Sequence, residues 1–193
     1  MRSAASRSRR GCAKRKRPAG TTMNMRRWIS FCWDLARIDL PKMVAPGHYQ
    51  LDVAPADDHK ETRTMITRSF AIDPNWSSAL HETNSIVENA IKRSLNVDTT
   101  ACLALRHGAR IIGGMFLAVD ADASEHLVPG PCVLMEYRNR GLGTLLLSAA
   151  LRHLRDAGLT RASAITCEGS PVARFLYPKF NGSPSPIAPL LAA

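Results

Sequence analysis

Apolar positions along this chain change period several times, and each change marks an element. Tyr49-Gln50-Leu51-Asp52-Val53 alternates and predicts a first strand. Pro55-Ala56-Asp57-Asp58 follows as a helix start with acidic residues in its first turn. That helix runs to about Phe70, with Met65, Ile66 and Phe70 as core contacts, and Asp73-Pro74 ends it. Leu80, Val87, Ile91 and Leu95, with Thr83 and Ala90 between them, trace one face of a second helix. Two apolar runs within 101–119 flank Arg106-His107-Gly108-Ala109-Arg110, a hairpin with a turn glycine. His107 there reads as a solvated turn residue.

After a polar loop from Asp120 to Glu125, a strand runs from His126 to about Met135. Pro129, Gly130 and Pro131 interrupt its ladder pairing, so it must be bulged or splayed from a neighbour. A charged turn then leads into a helix through Leu145, Leu146, Ala149, Ala150 and Leu154, closed by Gly158. Arg161 to Thr166 is another strand. Ser170-Pro171 opens a short helix, with proline where its missing N–H costs nothing. Pro178 should force the preceding Tyr177 out of helical geometry. The order is β-α-α-β-β-β-α-β-α.

Composition changes the picture mainly through charge. The 193 residues leave room for one domain with a core plus a tail. The net charge of +10 suggests a nucleic-acid partner until it is located. Residues 1–42 hold twelve Lys/Arg against two Asp/Glu, whereas residues 43–193 hold fourteen of each. The globular part is neutral, so its composition gives no argument for nucleic-acid binding by the core. Residues 1–42 read as a basic leader too polar to order itself, 43–182 as the domain, and 183–193 as a short proline-rich tail.

The leader allows three readings: a transit segment, a nuclear signal or a polyanion-binding arm. Met25, Trp28, Ile29, Cys32, Leu35 and Ala36 fall on one helical face beside Arg26 and Arg27, which suits the first. Asp34 interrupts the apolar run too early for a secretory signal. A start at Met23, Met25 or Met43 would remove the leader from the native product. Cys12, Cys32, Cys102, Cys132 and Cys167 are scattered without a C-x-x-C pair, and no H-E-x-x-H occurs. A reduced, metal-free cytoplasmic protein is the expectation. No run approaches the ~18 apolar residues of a membrane span.

The candidate chemistry lies between Val133 and Leu147, where an apolar run enters a charged glycine turn and a leucine-rich helix follows. Gly141 and Gly143 let the backbone approach a ligand, and the helix they open aims unpaired N–H groups at an anion. Arg138 and Arg140 add charges suited to phosphate oxygens. A dinucleotide fingerprint needs a third glycine where Leu146 stands, and no Gly-Lys-Ser/Thr of a P-loop is present.

Arg138-Asn139-Arg140-Gly141-Leu142-Gly143, preceded by Glu136-Tyr137, resembles the pyrophosphate-binding motif of the GNAT N-acetyltransferase superfamily, Arg/Gln-x-x-Gly-x-Gly/Ala after the fourth strand. The order of elements over about residues 48–182 is similar to that family's as well. The resemblance implies an α/β (α+β) fold with a mixed, mostly antiparallel sheet flanked by helices, and acetyl-CoA as acyl donor without a metal. It implies cofactor contacts along 138–144, including Asn139, Leu142 and Thr144. Main-chain groups of Cys132, Val133 and Leu134 would hold the pantetheine arm. A second family signature, Asn-x-x-x-x-x-x-Tyr, maps to Ser170 at the Asn position, with Ala173 and Tyr177 matching. Tyr177 is thereby the candidate general acid.

Glu136 and His126 are the titratable residues nearest the motif in sequence, and neither is assigned as base. Asn181 stands where the family has glycine, and Gly182 replaces a buried Phe. The tail after Gly182, with Pro184, Pro186 and Pro189, is too short for the family's two last strands. The fifth strand should then be an exposed edge, offering a homodimer contact. The implied reaction is acetyl transfer to a primary amine of a small molecule or protein, by direct attack in a ternary complex. The rival expectations are a non-catalytic CoA-binding module and a polyanion-binding protein acting through its leader.

Overall fold

The computed structural model describes residues 27–73, 84–85, 88–89, 91–92 and 99–186. Seven strands form one sheet in the order β2-β3-β4-β5-β6-β1-β7. They are β1 Trp28–Asp34, β2 Tyr49–Val53, β3 Thr100–His107, β4 Arg110–Ala118, β5 Leu127–Val133, β6 Arg161–Cys167 and β7 Ser183–Pro186. Helix α1 spans His59–Ala71 after a 3-10 turn over Ala56–Asp58, and α2 spans Leu142–Asp156. Every strand pair is antiparallel except β5 with β6. The expected mixed, mostly antiparallel sheet flanked by helices is what the chain forms.

Each sheet face carries a core. α2 packs its leucines Leu145, Leu146, Leu147, Leu151 and Leu154 onto one face with Leu103, Leu105, Ile112 and Leu117. On the other face Met65 and Ile66 of α1 and Ile91 meet Cys102, Phe116, Val128 and Leu134. The described residues between 84 and 92 are helical, in keeping with a second helix. Leu80, Thr83, Val87, Ala90 and Leu95 lie outside the described residues. The hairpin β3–β4 turns at Gly108, whose φ of +58° suits a residue without Cβ.

The N-terminal region departs from expectation. Residues 28–34 are not part of a leader and not helical; they form β1, inserted between β6 and β7. All seven pair with β6, from Trp28 opposite Cys167 to Asp34 opposite Arg161. Phe31, Trp33 and Leu35 are buried in the α2-side core, and Ile38 and Leu40 follow them. Burying side chains of this kind stabilises by about 1.5–3 kcal/mol each. The next segment is tied to α2, where Ser148 Oγ donates to the Pro41 carbonyl at 3.0 Å.

Two further expectations fall with it. The fifth strand of the family order, β6, is not an exposed edge, because β1 covers it; a dimer through that edge has no open edge to use. The tail also supplies a strand. β7 pairs with β1 from Ile29 opposite Pro186 to Cys32 opposite Ser183. Its prolines are tolerated because β7 lies at the sheet's outer edge. Gly182 creates no hole where the family has Phe, since a Cβ there would lie 2.9 Å from Trp33 Nε1. The Trp33 indole fills that space.

The last helical segment differs in detail. Val172–Leu176 is π-helical and Tyr177–Phe180 is 3-10. Tyr177 keeps helical dihedrals, φ −60° and ψ −40°, despite the following proline. The change of helix type at Tyr177 accommodates Pro178. Asn181 adopts the left-handed conformation at φ 54°, as its side chain permits.

A chain beginning at Met43 lacks β1 and exposes both β6 and β7. It is expected to lose the cooperative thermal transition monitored by circular dichroism. A chain beginning at Met25 keeps β1 and should retain it.

Candidate active site

β5 is joined to both neighbours at its start and leaves one of them before its end. Leu127 pairs in parallel with Ala164 of β6, and the His126 N–H donates to the Ser163 carbonyl at 2.9 Å. No later β5 residue pairs with β6. The β4 ladder runs through Leu127 and Val128, shifts register, and resumes at Cys132 and Val133. Pro129, Gly130 and Pro131 occupy that bulge, where the sequence predicts one. The splay between β5 and β6 therefore opens toward the C-terminal ends of both strands.

Alternation decides which main-chain groups face the splay. The Leu134 N–H is taken by the Ile112 carbonyl at 2.9 Å, and Cys132 is registered with Gly114. Val133, between them, turns its N–H and carbonyl away from β4, toward β6. Of the three residues expected to hold a pantetheine arm through their backbone, Val133 alone presents its N–H to the gap. Cys132 is buried, its thiol pushed up to about 12 by desolvation, so it is no nucleophile.

Beyond β5, a 3-10 turn at Met135–Tyr137 leads into the loop 138–141. Asn139 at φ 61° and Gly141 at φ 77° both take left-handed dihedrals and turn the chain into α2. The first helical bond of α2 runs from the Leu145 N–H to the Gly141 carbonyl at 3.0 Å. The N–H groups of Leu142, Gly143 and Thr144 thus have no partner within the helix, and no side chain caps it. Unpaired amides at a helix start, together with the helix dipole, suit an anion.

The two glycines differ in what the fold asks of them. Gly141 is required by its dihedral. Gly143 is not: a Cβ there would meet only a Leu176 methyl at an ordinary 3.6 Å. A helical glycine costs roughly 1 kcal/mol against alanine. Nothing in the chain's own packing explains Gly143, whereas a ligand lying close against the helix start would.

The arginines are more committed than their sequence position suggests. Arg138 Nε donates to the Val133 carbonyl at 2.9 Å, and its terminal nitrogens reach the buried Asp73 carboxylate and, at 3.2 Å, the Ser69 carbonyl. Its guanidinium is a strut joining the end of β5 to the end of α1, not a free phosphate ligand. Arg140 donates to the Tyr49 hydroxyl at 3.1 Å and to the Glu136 carbonyl at 3.0 Å, and lies over the Tyr137 ring. It remains exposed with N–H donors to spare. Asp73 and Tyr49 lie 65 and 91 residues from their arginines, so no local pattern could have revealed them.

Tyr177 packs against the bulge of β5. A Cβ on Gly130 would lie 2.5 Å from its hydroxyl oxygen, so the bare bulge residue seats that hydroxyl. The side chain is 1% exposed. Burial raises its pKa above the ordinary tyrosine value, with nearby Cys132 adding to the shift, and the hydroxyl stays protonated. Ser170 turns inward, sharing a 3.0 Å bond with Thr166 and accepting from the Ala173 N–H at 3.2 Å. In this arrangement Ser170 and Ala173 close the start of the last helix.

Neither neighbouring titratable group is a base poised at the splay. Glu136 is exposed, paired with Arg110 at 3.1 Å, and held below its usual pKa mainly by a hydrogen bond from its own backbone. His126 is buried at the joined end of β5 and β6, bonded to Ser163 at 2.8 Å and lowered in pKa by burial. His107 is exposed at the end of β3 as expected, touching the Tyr137 hydroxyl at 3.3 Å. A groove of about 320 Å³ lies between Met43, Leu51, Leu103 and the later turns of α2, and no motif residue of the loop lines it. Among the described residues no His/Cys/Asp/Glu group could hold a metal ion, and no helix is long and apolar enough to cross a membrane.

Comparison with known proteins bears on this geometry. No curated protein sequence matches the chain. A GCN5-related N-acetyltransferase from Sphaerobacter thermophilus superimposes with a TM-score of 0.57 at 15% identity, over 83% of this chain and 49% of that one. A structural-genomics protein from Drosophila gives 0.54 at 17%, over 83% and 48%. A GCN5-related N-acetyltransferase from Ralstonia eutropha JMP134 gives 0.52 at 14%, over 72% and 95%. These likenesses show the fold, and this chain spans about half the length of the first two structures. The model of the acetyltransferase (GNAT) family matches residues 63–182, from α1 through the loop and the last helix. The chain belongs to the GNAT acetyltransferase family.

Proposed function

We propose that this protein is an N-acyltransferase moving an acetyl group from acetyl-CoA to a primary amine by direct attack in a ternary complex. The observation that carries the reading is Gly143, bare at the start of α2 for no reason internal to the fold. The main-chain amides of 142–144, with the exposed backbone of Asn139, Arg140 and Gly141, form a cradle suited to the donor's diphosphate. Arg140 adds a charge beside it. The pantetheine arm would lie in the splay, with its thioester carbonyl toward the Val133 N–H.

The chemistry then balances with few groups. The amine nitrogen attacks the thioester carbon, the carbonyl oxygen gathers charge against the Val133 N–H, and the C–S bond breaks. The leaving thiolate gains one proton and the amine loses one. Tyr177, kept neutral by burial, is the donor seated at the splay, and a water chain returns the proton. The four described cysteines are free thiols, which supports a reducing location such as the cytoplasm. The rival reading as a non-catalytic CoA module was motivated by missing C-terminal strands. The strands β1 and β7, which extend the sheet beyond β6, weigh against it.

Gly143→Ala should leave the melting temperature unchanged or slightly higher and weaken CoA binding at least about tenfold by calorimetry, a loss of ~1.4 kcal/mol. Unchanged affinity, or no affinity in the wild type, would remove the assignment. Tyr177→Phe should slow release of free CoA from acetyl-CoA at least about tenfold in an acceptor panel of tyramine, spermidine and a lysine peptide. Its CoA affinity should stay as before. Because burial raises the Tyr177 pKa, the acid form persists as pH rises. The rate should therefore show no alkaline loss from this group below about pH 10, where an ordinary tyrosine ionises.

A further inference from the structure

We infer that Phe31 and Trp33 of β1 are positioning residues for Tyr177, so that the N-terminal strand belongs to the catalytic apparatus. This rests on the acid role proposed for Tyr177. The family model begins at residue 63 and does not include this strand.

The Tyr177 ring is held from two directions. Phe31 lies edge-on to it with centroids 5.0 Å apart, and Trp33 stands perpendicular to it at 4.9 Å. Phe31 and Trp33 are two residues apart on one strand, so both project to the same face and stack on each other at 6.4 Å. All three side chains are buried. Edge-to-face contacts are directional, so they fix the plane and tilt of the ring and not merely its burial.

Two bare positions complete the fixture. Gly182 backs the Trp33 indole, since a Cβ there would come within 2.9 Å of Nε1 and 3.0 Å of Cε2. Gly130 receives the tyrosine hydroxyl at the bulge of β5. The aromatic pair therefore holds the ring while the hydroxyl lies against the bulge of β5. Rotation about the Cα–Cβ bond would carry the oxygen off Gly130, and the ring plane held by the two aromatics blocks that swing. β1 cannot shift to follow, because seven register pairs lock it to β6. Proton donation is sensitive to such placement, where a shift of about 1 Å can cost roughly a hundredfold in rate. Ordinary core packing would need the same apolar volume but not this orientation.

The test uses Trp33→Phe and the milder Phe31→Leu in the full chain, each alone and combined with Tyr177→Phe. The turnover assay is that of the amine panel, with thermal melts confirming folding. In folded variants kcat should fall about tenfold or more, while KM for acetyl-CoA and the affinity for CoA stay within about twofold, because the diphosphate loop is untouched. In the Tyr177→Phe background neither change should lower kcat further, as expected for residues acting through one group. Unchanged kcat in a folded variant would overturn the inference and leave the acid role standing, as would an equal loss with and without the Tyr177 hydroxyl. If Tyr177→Phe itself turns over like the wild type, or the wild type is inactive across the panel, the acid role falls and the positioning role with it.

Discussion

The pairing of β1 with β6 is the contact on which the remaining structure depends. Without it, among the described residues, β6 would carry an unpaired edge and β7 would have no partner, since β7 pairs there only with β1. The turn at Asn181 and Gly182 also depends on this strand, because the Trp33 indole fills the space beside Gly182. The N-terminal segment thereby closes the half of the sheet built from the C-terminal part of the chain. Such a contact spans more than 120 residues of sequence and carries a large loop-closure entropy. It is offset by the burial of Phe31, Trp33 and Leu35 and by a full ladder of backbone bonds.

The splay follows from the same sheet. β5 must pair with β4 along its length and with β6 at its start, yet Pro129 and Pro131 deny it a regular ladder between those regions. The bulge lets the strand lean away from β6 while keeping Cys132 and Val133 in register with β4. The Val133 N–H is left facing away from β4, and the Tyr177 hydroxyl lies against Gly130. The polar functions of the site are thus few, and most are backbone groups aimed by topology.

Electrostatics reinforce that division. Arg138 is the first letter of the loop motif, yet it binds Asp73, Ser69 and Val133 of its own chain. A third-exposed guanidinium against a buried carboxylate is a structural tie, and it connects the loop 138–141 to the end of α1. Removing one partner of such a pair leaves the other's charge poorly compensated. The start of α2 then presents chiefly amides and the helix dipole, with Arg140 as an exposed cation nearby.

Much of this was legible in the residues. Alternation at 49–53, the turn at Gly108, the leucine stripe of α2 and the prolines of β5 each name their element, because period and turn chemistry are local properties. The glycine turn before α2 is legible for the same reason, since Gly141 takes a left-handed dihedral there. The fate of 28–34 was not legible: Ile29, Phe31, Trp33 and Leu35 alternate, but Met25, Trp28, Ile29, Cys32 and Leu35 also fit a helical face. A run so short satisfies both periods, and the unpaired edge of β6 selects the strand. The partners of Arg138 and Arg140, the inward turn of Ser170 and the seating of Tyr177 on Gly130 belong to the same class. Local sequence determined the elements and the loop; the tertiary structure alone decided which distant surfaces meet, because those contacts join residues whose separation along the chain carries no pattern.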